Sequence, residues 1–149
     1  MAIQYTLTLA AALSVAELAA RAMPEPAHRP IGRDGLATAD LYDSHGFALT
    51  VLTGKTNGYV EADSDLGVFE WEPADYSLVM FDLGKADRLA RPLAAMLTVV
   101  RRVLDSGDED AVLVENDDVL LFKRFGGVLV KHGRPGFWGH YPGLDELIR

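Results

Sequence analysis

DAVLVENDDVLLFKRFGGVLVKH, residues 110–132, decides the fold. Three short runs of Val, Leu and Phe are separated by Asn116–Asp117 and by Gly126–Gly127, residue pairs that enter the left-handed backbone region at low cost and so close tight hairpins. Successive hairpins make a three-stranded antiparallel meander. With two-residue loops at both turns, Lys123 falls opposite Val130, and Phe122 opposite Lys131, which offers the Phe122 ring to the ammonium.

The strands that the meander joins lie upstream. YSLVMFDL, residues 76–83, is apolar on both faces and reads as a central strand. Phe47, Leu49 and Val51 alternate with Ala48, Thr50 and Leu52 ahead of the turn-like GKTNG at 54–58, and Ile3, Tyr5, Leu7 and Leu9 alternate with Gln4, Thr6 and Thr8. Residues 59–63 and 67–72 each read as a short strand or an ordered loop.

Two helical patterns supply the cover. Ser14 and Glu17 form a capping box ahead of Val15, Leu18, Ala19 and Ala22, and Pro24 and Pro26 stop that helix. The longer pattern puts Leu89, Leu93, Met96, Leu97, Val100, Val103 and Leu104 on one stripe, with Pro92 at a first turn or kink and residues 85–91 as a separate short turn. Ser106 and Gly107 end it. The proline-rich and charged stretch at 24–35 reads as an exposed loop, and GLDELIR at 143–149 as a short helix or frayed tail. The expected architecture is one α+β domain over residues 1–149: a largely antiparallel sheet, two main helices on one face and a C-terminal meander.

Composition narrows the function. With 22 acidic and 14 basic residues the formal charge is −8, which repels nucleic acid and anionic membrane surfaces, and which either serves solubility, the reading that charge alone favours, or draws in a basic protein partner. The chain has no cysteine, so disulfides and thiolate chemistry are excluded, and a cytoplasmic location is expected. Residues 6–23 lack a basic leader, and Glu17 and Arg21 interrupt their apolar span.

No constellation assembles a catalytic site. His28, His45, His132 and His140 share no metal-ligand spacing, and nucleophile-elbow and phosphate-loop motifs are missing, so neither metal nor cofactor is expected. Tyr42, Asp43 and His45 in LYDSHG support the alternative of a small-ligand or hydrolytic enzyme with a pocket between sheet and helices, though turn composition alone produces the same triplet. Of the acidic clusters at 105–110 and 115–118, the first lacks calcium-loop spacing, and solvated loop is the favoured reading of such runs. They nominate Asp108, Glu109, Asp117 and Asp118 as contacts for a basic protein. Trp138, after Pro135 and Gly136, has two readings: an apolar anchor for that partner, or a ring folded back as a lid over the sheet, which a domain this size favours.

Residues 2–10 with SVAELA, YSLVMFDLGKADRL, and the ending DAVLVENDDVLLFKRFGGVLVKHGRPGFW together resemble the Sit-type immunity proteins, partners of swarming-inhibition toxins, and their relatives of unassigned function. The resemblance implies a non-enzymatic protein that binds and neutralises a cognate toxin, with no catalytic residues to carry over. It departs from that pattern at ENDD, where an Asn-Gly-type turn is expected.

Overall fold

The computed structural model describes residues 3–54, 58–84, 89–133, 136–141 and 143–149. At the centre lies β1 (Gln4–Leu9), whose alternation buries Tyr5, Leu7 and Leu9 on one face. It pairs antiparallel with β7 (Tyr76–Asp82) on one side and β8 (Ala111–Glu115) on the other. Beyond β7 follow β4 (Phe47–Gly54), β3 (Leu36–Leu41) and β2 (Ile31–Arg33). Beyond β8 lies β9 (Val119–Phe125), which carries both β10 (Val128–Lys131) and the hairpin of β5 (Val60–Ser64) and β6 (Gly67–Trp71). Among the described residues the protein is therefore α+β with a ten-stranded sheet, antiparallel except at the bridge from Asp63 of β5 to Val119 of β9.

Both main helices cover one face. Ser14 Oγ accepts the Glu17 N–H at 3.0 Å, opening α1 (Val15–Ala22) as the capping box requires. In α2 (Ala90–Asp105), Pro92 sits in the first turn, where its missing N–H costs nothing. Leu93, Met96, Leu97 and Val100 pack with Leu18 of α1 onto Leu7, Leu49, Val79 and Leu113 of the sheet. Each such fully buried side chain contributes roughly 1.5–3 kcal/mol. Of the separate turn expected over 85–91, residues 85–88 lie outside the described residues, and Ala90 and Arg91 already belong to α2.

The expected loop at 24–35 needs correction. Ile31–Arg33 is a strand, and Asp34 and Gly35, with φ of 59° and 82°, close a two-residue hairpin that sets Arg33 opposite Leu36. Such a turn demands positive φ at both positions, which Asp-Gly supplies.

In the meander, Gly126 and Gly127 adopt φ of 60° and 81°, and Phe122 faces Lys131 as expected. The Lys131 ammonium does not lie on Phe122, which is fully buried in the main core. It sits 4.7 Å from the Trp138 ring centroid and pairs with Asp145 at 2.9 Å, keeping the charged end near water. At the other turn the β8–β9 ladder resumes only at Val119, opposite Glu115, and a bulge turns Leu121 and Phe122 together into the main core.

The face opposite the helices is only half covered. There the β5–β6 hairpin folds over β8 and β9, burying Ala62 with Val112, Val114 and Leu120 and stacking Phe69 and Trp71 against Phe125. Its docking bonds run from the Asp63 N–H to the Asp118 carbonyl (2.6 Å), from the Asp65 N–H to His132 Nδ1 (3.3 Å) and from the Gly133 N–H to Asp65 Oδ1 (2.9 Å). Leu52, Leu78 and Met80 join neither apolar cluster and stay half-buried. The short α3 (Gly136–His140) and α4 (Leu144–Leu147) close the chain on the helical side, and among the described residues no helix is long and apolar enough to cross a membrane.

Candidate partner-binding surface

The five residues nominated from the sequence fall in three places. Asp108 and Glu109 connect α2 to β8, while Asp117 and Asp118 turn from β8 into β9 at the other end of the same strand. Trp138 lies in α3 and is buried, its indole N–H shared between the carbonyls of Leu121 (3.0 Å) and His132 (2.8 Å). With both face and polar edge engaged, the ring is a lid on the main core and not an exposed anchor.

Glu109 is half-buried and engaged within the chain. Arg21 donates to both of its carboxylate oxygens at 2.9 Å and also to the Val103 carbonyl and Ser106 Oγ, clipping α1 to the end of α2. Arg124 adds bonds to the carbonyls of Glu109 and Leu104. The Arg21 hydrogen bonds hold the Glu109 carboxyl below its ordinary range. Asp108 beside it is exposed.

Asp117 and Asp118 belong to a larger feature. They line a cleft of about 480 Å³ whose floor is Thr6, Thr8, Leu78 and Val114 and whose wall is the start of the β5–β6 hairpin, from Tyr59 to Asp63. Glu61 and Asp63 point outward from that wall and are exposed. A second hollow continues it past Gly58 and Tyr59 to Tyr76. Acids alternating with Val60 and Ala62 look like the solvent side of any strand, so the sequence alone does not single out Glu61 and Asp63. Their one local signal is the mirrored Glu70 on β6.

The cleft is electrostatically one-sided. No described Lys or Arg lies within ion-pair distance of Glu61, Asp63, Glu70, Asp117 or Asp118. Nor do three His, Asp or Glu side chains among the described residues group closely enough to hold a metal ion. The acids are spread as several separate charges, an arrangement that suits ammonium and guanidinium groups distributed over a protein surface better than a single ion.

The Tyr42, Asp43 and His45 triplet does not assemble. Tyr42 turns to the Asp82 carboxylate, and His45 accepts or donates at Ser44 Oγ (2.7 Å) and packs edge-on against His28, ring centroids 5.0 Å apart. Burial, with His28 and Arg102 nearby, lowers the His45 pKa.

The model of the SitI3-like family matches residues 3–142 of this chain, which includes every strand, both main helices and the cleft. No curated protein and no solved structure matches it.

Proposed function

The chain belongs to the SitI3-like family, and from that premise we propose that it is an immunity protein: a cytoplasmic, non-enzymatic binder that silences a cognate toxin by occupying it. The observation that carries this reading is the match across nearly the whole chain. The −8 charge and the acids of the cleft, which no described Lys or Arg pairs, support a basic partner, with Asp117 and Asp118 among its contacts and Asp108 as a further exposed acid.

The test is stoichiometric. Cells expressing a toxin candidate taken from the genes that flank this chain's own are supplied with graded amounts of the chain, and growth is scored against the ratio of the two proteins. Occupation predicts protection that saturates near one chain per toxin, with a complex isolated by gel filtration. Protection by a small fraction of that amount, without a complex, points instead to an enzyme that modifies the toxin. A toxin equally lethal with and without the chain overturns the proposal.

A further inference from the structure

Cross-strand partners share a face, so the registers lay out the side of the sheet turned away from the helices. One row runs Ile31, Thr38, Thr50, Met80, Thr6 and Val114, and the next runs Leu36, Leu52, Leu78, Thr8 and Val112. Between these ends neither row holds a charge, and the second continues to Arg33 beyond Leu36 and to Lys123 beyond Val112. The hairpin of β5 and β6 covers only the Val112 and Val114 ends. Across β2, β3, β4 and β7 the face stays open, with Ile31 84% and Leu36 43% exposed and Leu52, Leu78 and Met80 half-buried. A strand that is apolar on both faces ordinarily has both faces covered, as β7 does not.

Charge surrounds this open patch on two sides. The cleft acids Glu61, Asp63, Asp117 and Asp118 border it along β5, and Asp40 and Asp82 stand in the adjoining row through Ala48 to Gln4. The described bases on this side are Arg33, at the far edge opposite Leu36, and Lys123, which is folded under the hairpin against Phe69 and Phe125.

We infer that this open half of the sheet, with the acidic cleft as its border, is the seat of the toxin, which meets it with an apolar centre flanked by Lys or Arg. The inference rests on the reading of the chain as an immunity protein and specifies the surface that reading leaves open. Charge decides the occupant. A second copy would bring a further −8 of net charge and the same acidic residues to the contact, so the two chains repel each other. A basic partner relieves the same border and is steered to it.

The experiment measures binding of a purified toxin candidate, taken from the genes that flank this chain's own, to the full chain by surface plasmon resonance, at low and moderate salt. Three variants are compared: Thr50→Lys at the centre of the patch; the set Glu61→Gln, Asp63→Asn and Asp118→Asn on its border; and Thr98→Lys on the exposed side of α2 as a control. Thr50→Lys is expected to weaken binding by at least about 30-fold, because it buries an unpaired charge in the contact. The border set is expected to lower the association rate about 10-fold at low salt and flatten its salt dependence, whereas the control changes neither by more than about two-fold. The border residues are exposed and keep the test decisive should Thr50→Lys unfold the chain. Wild type that binds while the patch and border variants bind equally well overturns the surface and leaves the immunity reading standing. Wild type that does not bind overturns both. A dimer of the chain alone that Thr50→Lys dissociates shows that a second copy occupies the face and also overturns the inference.

Discussion

Glu61 stands directly opposite Glu70 in the β5–β6 ladder, two carboxylates facing each other on an exposed strand pair. The Tyr59 hydroxyl donates to Glu61 at 2.9 Å and lies 3.3 Å from Glu70, and the Glu61 bond pushes the phenol up to about 12. Like charges in directly opposed positions destabilise a sheet, and one phenol proton only partly offsets them. Exchanging one charge reverses the sign: Glu70→Lys is expected to stabilise the protein by roughly 0.2–1 kcal/mol. A raised urea midpoint, together with slower toxin association, would show an acidic surface kept at the expense of stability. An unchanged or lowered midpoint would show that Glu70 supports the fold.

The Arg21–Glu109 clip makes stability depend on acid. Its carboxyl titrates lower in the folded chain than in the unfolded one, so the stabilisation is complete above the ordinary Glu value near ~4.3 and is lost as pH falls through the lowered folded value. Glu109→Gln should cost about 1.5–3 kcal/mol at neutral pH. Its unfolding free energy should also fall less steeply than that of wild type below about pH 4.3. Parallel pH curves for the two proteins would show that the pair is not the acid-sensitive element.

Trp138 tests the lid. Phe in its place keeps most of the apolar area but takes the indole donor from the His132 carbonyl, leaves that of Leu121 with the His132 N–H alone and weakens the seat of the Lys131 ammonium, so Trp138→Phe should cost about 1–3 kcal/mol. Trp138→Ala should cost about 3–5 kcal/mol. Neither change should alter toxin dissociation from the folded fraction. Faster dissociation from a fully folded Trp138→Phe chain would place the ring in the contact after all.

Helix faces were the most legible part of the fold, because a period near 3.6 with a cap at its start needs no distant partner to be recognised. The core stripe of α2 follows directly: Leu97→Ala should cost about 2–5 kcal/mol and Thr98→Ala, on the exposed side, almost nothing, and similar urea midpoints for the two would contradict the packing. Strand β2 was hidden because three residues hold too little alternation to stand out against Pro24, Pro26 and Pro30, although Asp34–Gly35 marked its turn. The cleft was illegible for a different reason. Thr6, Tyr59, Leu78 and Asp117 come from four separate segments, and the long-range bridge between β5 and β9 that gathers them has no local pattern. Charge within a turn exposed Asp117 and Asp118 to notice, but whether an aromatic such as Trp138 faces in or out depends on carbonyls supplied by β9 and the end of β10.

The β8–β9 turn joins the fold to the proposed function. Asn116 and Asp117 hold φ of 52° and 56°, and the Asp118 N–H closes the turn on the Glu115 carbonyl at 3.0 Å. Left-handed backbone costs an ordinary L-residue roughly 1–2 kcal/mol, less for Asn and Asp, and nothing of the kind for Gly, which is why Asn-Gly is the usual pair here. Asp117 thus keeps a charge at the mouth of the cleft where glycine would make the better turn. Asp117→Gly is expected to gain up to about 1 kcal/mol of stability and to slow association with the toxin at low salt, and Asp117→Asn to slow association equally with almost no gain. The two variants separate backbone from charge. A glycine variant that is more stable and associates at the wild-type rate would leave Asp117 without a part in binding, and would return that end of the cleft to ordinary solvated surface.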